Sequence, residues 1–447
     1  MSQVLENTTS PMPIGPIGDN GLFDQFIASH SGENAWIEKR RKAAWNQFHE
    51  LPMPRKKDES WRFASRLAFE FNDFKLVEQP DATTIGKVVE RSNLNSSALA
   101  RLVFADNYLV HEDPLSMDLQ TKGVVFESFD QAVQKHGGLL EQYLFREEAH
   151  LGSEKFVALN TALSNCGGVV YVPKGVVVDQ PLLVYHWATK ENVAVFPHTL
   201  IIAEEGASVN VIDVYQSLDS DAPAFCAASG NIYAEANAQV MRKCVQNWNQ
   251  STISFQNDAT AVKKDGVTKT LAVNLGSKRA RFENQVRMAE PGSHATLYSL
   301  TVAQGDQEFD QRTYQSHDAP NAVSDLLYKN ALLDNSRTIF SGMINVAKDA
   351  QHTDAYQTNR NLLLSPEADA NSLPGLEIQA NDVKCSHGAT TGQLDPDELF
   401  YMMQRGIHKR TAQQLMVFGF FEEVIEKFDN EEIKNNVREL VQSKFHL

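Results

Sequence analysis

HTLIIAEEGASVNVIDVYQ (198–216), GNIYAEANAQVMRKCV (230–245) and RFENQVRMAEPGSHATLYSLTV (281–302) share one layout. Each has a run of β-branched and aromatic residues, a short turn of small or polar residues, and a second such run. GVVYVPKGVVVD (168–179) and KTLAVNL (269–275) follow the same grammar, and residues 167–393 lack strong helical patterning. Ala203-Glu204, Ala234-Glu235 and Ala289-Glu290 each open a turn, at intervals of 31 and 55 residues. The second interval is near twice a unit of ~27 residues, within the range of repeat architectures. Repeated short strands suit a solenoid, a sandwich or a barrel. The loose period and small turn residues favour a parallel β-helix, in which each rung buries an inward row of Val, Ile and Leu on the next.

Outward from this core the character changes. Residues 1–20, rich in Pro, Gly, Ser and Thr, read as a mobile tail, and 21–150 as a helical or α+β region. There Trp36, Ala43, Ala44, Trp45 and Phe48 fall at helical spacing beside the basic cluster 39–42, until Pro52 and Pro54 intervene. A second helix is expected around ESWRFASRLAF (59–69) and a Gln/Glu-rich one near 139–148. The β-helix core is assigned to 151–393 and a helical domain to 394–447. In LDPDELFYMMQRGI, Asp395 at N-cap, Pro396 at N1 and Glu398 at N3 make a capping-box pattern, and Arg405-Gly406 supply the stop. Further helices are expected from Thr411, carrying Leu415, Phe418, Phe421, Val424, Ile425 and Phe428, and from Asp429, carrying Ile433, Val437, Leu440 and Val441. Together they form a cap or a docking module.

The chain has 447 residues, with 57 Asp and Glu against 41 Lys and Arg, for a net charge of −16. That excess argues against general binding to nucleic acid or anionic lipid. No apolar run approaches the ~20 residues of a spanning helix. The opening MSQVLENTTSPMPIGPIG lacks the layout of a signal peptide, and the four cysteines form no CxxC pair. A cytoplasmic location with reduced thiols is expected, with plastid stroma the second choice.

Chemistry concentrates in KCSHGAT (384–390). Cys385 and His387 stand at i and i+2 of an expected strand, so both leave the same face. Thiolate beside imidazole suits iron or zinc, but two donors cannot close a coordination shell. Cys166, Cys226 and Cys244 lie in apolar runs and read as core thiols. Phosphate-cradle, HExxH and GxSxG motifs are absent. Asp310, Asp318, Asp325, Asp334 and Asp354 read mostly as turn residues, and His294, His317 and His352 as structural.

KCSHGAT followed by GQLDPDELFYMMQRGI (392–407) resembles the C-terminal signature of the SufB/SufD family, scaffold proteins of the SUF system of iron–sulfur cluster assembly. LPMPRKKDESWRF (51–63), NTALSNCGGVVYVPKGVVVDQPL (160–182), LYKNALLDNSRTIFSGMINV (327–346) and QHTDAYQTNRNLLLS (351–365) extend the resemblance over most of the chain. It implies a right-handed parallel β-helix between N-terminal and C-terminal helices. It also implies pairing with a SufB-type scaffold through the cores and docking of a SufC-type ATPase on the C-terminal helices. The docking contacts would be Asp395, Glu398, Phe400, Tyr401, Arg405, Gly406, Phe418 and Phe421. Segment 359–368 lacks the cysteine of SufB-type chains, and Ser386-His387-Gly388-Ala389 replaces their His-Glu-Ala, so the chain looks SufD-like. YVPKGVVVDQPL is closer to SufB-type sequences.

The resemblance therefore implies a non-catalytic scaffold without a tightly bound cofactor. Cys385 and His387 would share a transient iron or iron–sulfur cluster with the partner. A SufB-like scaffold, a homodimer and a carbohydrate-active β-helix enzyme are the alternatives.

Overall fold

The computed structural model describes residues 12–445, apart from 33, 65–68, 96 and 147–149. The expected core is a parallel β-solenoid of about eight turns. Each coil contributes one strand to each of two sheets. The first sheet runs through Ala224–Ala234, Ile253–Val262, Arg279–Met288, Glu308–His317, Arg337–Val346 and Asp369–Ile378. The second runs from Leu182–Ala188 through Ser208–Ser217, Gln239–Asn247, Val267–Asn274, His294–Ala303, Val323–Leu332 and Asp354–Leu363 to Lys384–Gln393. Along the first sheet Ala203, Ala234, Val262, Met288, His317, Val346 and Ile378 stack in register, so a coil takes 26 to 32 residues. Two of the Ala-Glu pairs are therefore true neighbours, and Ala289 lies one position beyond the register two coils later.

One corner explains why the turns use small polar residues. Gly175, Gly206, Asn237, Asp265, Gly292, Asn321 and His352 occupy equivalent places in successive coils, all with φ between 55° and 73°. Only Gly, and less readily Asn, Asp or His, adopts that left-handed conformation cheaply. Each donates its backbone N–H to the turn of the next coil, as Asn237 does to Lys264 O (2.8 Å) and His352 to Asp382 O (2.6 Å). His352 is thus structural, as expected. Of the five aspartates, Asp334 is a turn residue (φ 52°), but Asp310, Asp325 and Asp354 lie in strands.

The interior changes character along the axis. Val170, Ile201, Val211, Ile232, Val240 and Val262 fill the early coils. Later coils carry a polar row in which Asn330 donates to Asn361 Oδ1 (2.8 Å), and Gln311 donates to Thr301 Oγ1 (2.9 Å). His317 is buried there against Ser324 Oγ (2.9 Å), and burial depresses its pKa to about 4.

Helices cover the outward faces. On the first sheet sit α1 (Asn20–Ser29), α2 (Ala35–Glu50) and α6 (Glu154–Leu163). The remaining N-terminal helices are α3 (Ala82–Arg91), the short α4 (Met117–Thr121) and α5 (Phe129–Leu140). Trp45, Ala44 and Phe48 of α2 are buried as expected, with Trp45 stacked on Phe23 (4.5 Å between centroids). Ala43 is exposed, and Arg41 of the basic cluster takes the inner place, donating to Ser164 O (2.7 Å) at the end of α6. Leu51, before Pro52, turns extended and ends α2.

Four N-terminal expectations are corrected. Residues 1–11 lie outside the described residues, but the rest of the expected tail is ordered. Met12 and Ile17 are buried beside α1, and Gly15–Pro16 pairs with Lys75–Leu76. Of 59–69, residues 65–68 lie outside the described residues, and the described part holds a 3-10 turn, Glu59–Trp61, where Trp61 is pinned: its indole donates to Gly152 O (2.8 Å) and lies 3.9 Å from the Arg281 guanidinium. No helix spans the described part of 139–148: α5, whose buried face is Phe129, Ala132 and Val133, ends at Leu140, residues 141–146 are turn or irregular, and 147–148 lie outside the described residues. Finally, the assigned core 151–393 opens with α6, which packs on α2 rather than joining a coil.

At the far end α7 (Pro396–Gln404) leads into α8 (Lys409–Ile425) and α9 (Glu431–Lys444). α8 starts two residues earlier than expected, behind His408. α9 begins behind Asn430, whose side chain accepts from Glu432 N (2.9 Å), which frees Asp429 to pair with Lys243. Both pack their apolar faces on the flank of the second sheet, against Leu271, Leu300 and Leu327. They are not a lid over the last coil.

His317 gives this fold a pH signature. Its pKa is lower folded than unfolded, so the unfolded chain binds more protons between about pH 4 and 6.5. Stability therefore rises with pH through that window and is lost on acidification. Replacing His317 by Asn should shrink the loss between pH 7 and 4.5 by roughly 2–3 kcal/mol, read from urea unfolding at each pH.

Candidate site at the open end of the solenoid

The strand Lys384–Gln393 exists because KCSHGATTGQ stacks in register on Asp354–Leu363, its only ladder partner among the described residues. Asp369–Ile378 likewise terminates the other sheet. The solenoid thus ends in two strands with an unpaired outer edge, and most of the last one is exposed.

Cys385 stacks on Ala355 and His387 on Gln357, as the i, i+2 spacing requires. Ala355 and Gln357 belong to the inward row of their coil, so both candidate donors belong to the inward row of a coil on which, among the described residues, no further strand stacks. His387 is exposed. Cys385 is half-buried against Ile344, Val346, Ala350 and Ala380, and burial together with nearby Asp354 raises its thiol pKa. The reactive thiolate would thus be scarce at neutral pH unless a cation draws it out. Among the described residues, no three His, Cys, Asp or Glu side chains converge as a metal site. The pair Cys385 and His387 thus offers one sulfur and one nitrogen.

Sequence reasoning missed Gln357. It is 1% exposed, and neither amide atom has a hydrogen-bond partner. A Cβ on Gly342 would lie 2.6 Å from both Gln357 Oε1 and Thr313 Oγ1, so the amide occupies space that Gly342 leaves open. An unpaired buried amide costs about 1–3 kcal/mol, and here it sits directly below His387 in the register. The only available signal was its spacing from His387, which has meaning once the coil length is known.

The expected docking residues separate into two groups. Asp395 caps α7, accepting from Asp397 N (2.8 Å) and Glu398 N (3.3 Å), although Glu398 does not return the bond of a full capping box. Gly406 ends the helix at φ 85°, and Arg405 donates to the Tyr401 hydroxyl (2.8 Å). α7 buries none of its residues: Phe400 is 59% and Tyr401 57% exposed, beside Met403 and Leu415. Phe418 is half-buried, and Phe421 is fully buried against the second sheet. Phe421 is therefore an anchor and not a contact residue, because its place on α8 faces the solenoid.

The three other cysteines are buried, as expected of core thiols, and burial pushes the Cys244 thiol up to about 12.

Two family models match this chain. The SufBD core domain of SUF-system FeS cluster assembly matches residues 186–420, and the SufBD protein N-terminal region matches 22–184. The chain is 27% identical to the iron–sulfur cluster assembly protein SufD of Bacillus subtilis, over 95% of this chain and 98% of that one. It is 29% identical to an iron–sulfur cluster assembly SufBD family protein of Synechocystis sp., over 94% and 93%. A SufBD family protein of Staphylococcus saprophyticus is 26% identical, over 90% and 89%.

Two measurements check this anatomy. Ellman's reagent should titrate one thiol per native chain, absent from Cys385→Ser, and four after denaturation in guanidinium. Phe421→Ala should cost about 3–5 kcal/mol of stability, whereas Tyr401→Ala should change it by less than about 0.5 kcal/mol, both from denaturant unfolding.

Proposed function

The chain belongs to the SufBD family of the SUF iron–sulfur cluster assembly system, and from that premise we propose that it is a non-catalytic, SufD-like scaffold subunit. Its Cys385 and His387 form half of a site for incoming iron or a nascent cluster, and a SufB-type partner supplies the other half. The observation that carries this reading is the position of the pair: the inward row of the last coil, beside two strand edges with unpaired backbone groups. Such edges are ready templates for another chain. A partner seated there would cover the imidazole and the thiol together.

An incomplete donor set suits passage of a cluster. A closed site of four ligands would hold its cargo, whereas two ligands from each of two chains can be separated when the chains move. His387, exposed and unencumbered by a short contact, is the better donor of the two. Cys385 would join once a metal favours its thiolate.

The SufD-like assignment is supported by segment 359–368. It lies in the coil beneath Cys385 and His387 and carries no cysteine where SufB-type chains place one. The exposed apolar face of α7, with Phe400 and Tyr401, suits docking of the SufC-type ATPase. Removing the C-terminal helices altogether would expose Leu271, Leu300 and Leu327, so point changes on α7 are the cleaner probe. A cytoplasmic location completes the proposal. The carbohydrate-active alternative loses its basis in the family match.

In a complex reconstituted with SufB- and SufC-type subunits, His387→Ala should lower the rate of cluster formation at least tenfold. The variant's fold and co-purification should be unchanged. Assembly at the wild-type rate would remove the assigned role.

A further inference from the structure

A cleft of about 610 Å3 lies far from the open end, between α2, α6 and the outward face of the first sheet. Its floor is one outward row, in which His198, Ser229 and Asn257 stand in register on successive strands. Arg40 of α2 and Arg146 line its rim. Among the described residues neither guanidinium has a carboxylate within ion-pair distance, in a chain where acidic residues far outnumber basic ones. Each is tethered instead to a backbone carbonyl: Arg40 donates to Phe145 O (2.9 Å), and Arg146 to Glu141 O (3.0 and 2.8 Å). Those bonds aim the forks and leave other N–H groups for a ligand. Burial and the charge of Arg146 lower the pKa of Arg40, and nearby Glu141 offsets them only in part.

The floor carries a second, independent sign. Ser229 is 5% exposed, lines the cleft, and its hydroxyl has no partner. Beside it the His198 ring bridges two amides, with Nδ1 3.1 Å from Asn160 Oδ1 and Nε2 2.9 Å from Asn231 Oδ1. Glu154, in the first turn of α6, is the one carboxylate lining the cleft among the described residues. Ala43, Val157 and Ala158 provide an apolar wall.

We propose that this cleft binds a small organic phosphate, its phosphate oxygens on Arg40, Arg146 and Ser229 and its carbon frame against the alanine and valine wall. Two guanidinium forks and a hydroxyl offer more donors than a carboxylate's two oxygens can use, and they suit a tetrahedral group. The volume is that of an ordinary small-molecule site. The inference is independent of the reading of Cys385 and His387.

Isothermal calorimetry on the full chain, with adenosine monophosphate and inorganic phosphate as probes, tests it. One saturable site for the nucleotide is expected, with inorganic phosphate at least threefold weaker. Arg146→Gln, an exposed change that leaves the fold intact, should weaken nucleotide binding at least tenfold. Ser229→Ala should weaken it several-fold, and His387→Ala should bind as wild type. Absence of binding by both probes at millimolar concentration overturns the proposal, as does unchanged affinity in both Arg146→Gln and Ser229→Ala. Phosphate bound as tightly as the nucleotide overturns the organic part.

Discussion

Everything in this protein hangs on one repeated backbone event. At one corner of each coil a single residue turns left-handed and donates its N–H to the coil above. That event fixes where the next strand starts, and so fixes which side chains stack on which. Gly, Asn, Asp and once His occupy the place because a Cβ is otherwise penalised there by roughly 1–2 kcal/mol. The stacking of Ala203 on Ala234, or of Gln357 beneath His387, is a remote result of that corner.

A second constraint binds the N-terminal region to this frame. Arg281, Glu283, Asp310 and Arg312 form a buried ionic group on the outward face of the first sheet, with Arg281 Nε 2.6 Å from Glu283 and Arg312 Nε 2.6 Å from Asp310. Arg281 also donates to the carbonyls of Ser60 and Leu151, and Ser153 donates to Glu283 (2.7 Å). Well-paired buried charges add little net stability over an apolar core, yet losing one partner is costly. Their effect is to specify where the segments 59–61 and 151–153 sit.

Much of the architecture was legible because its signals are local. The strand runs, the small turns, the Asp395 cap and the Gly406 stop depend on neighbours in sequence, and each appears where expected. The misread parts depend on partners far away in the chain. Ile17 looks like tail until its pocket beside α1 exists. Trp61 fits a helical pattern but is held by Gly152 and Arg281. Phe421 fits an exposed docking face as well as a buried one, and only the second sheet decides. At the site, the shared face of Cys385 and His387 followed from a period of two. The unpaired amide of Gln357 required knowledge of which coil lies beneath, and no periodicity within one strand contains that.

The coil count also acts as a ruler. Neighbouring strands in a ladder are spaced about 4.8 Å apart. Insertion or loss of one whole coil would shift the terminal sulfur and imidazole by that increment along the axis and leave their local surroundings alone. Lineages could therefore tune the reach between the helical base and the distal tip in discrete steps, without redesigning either end.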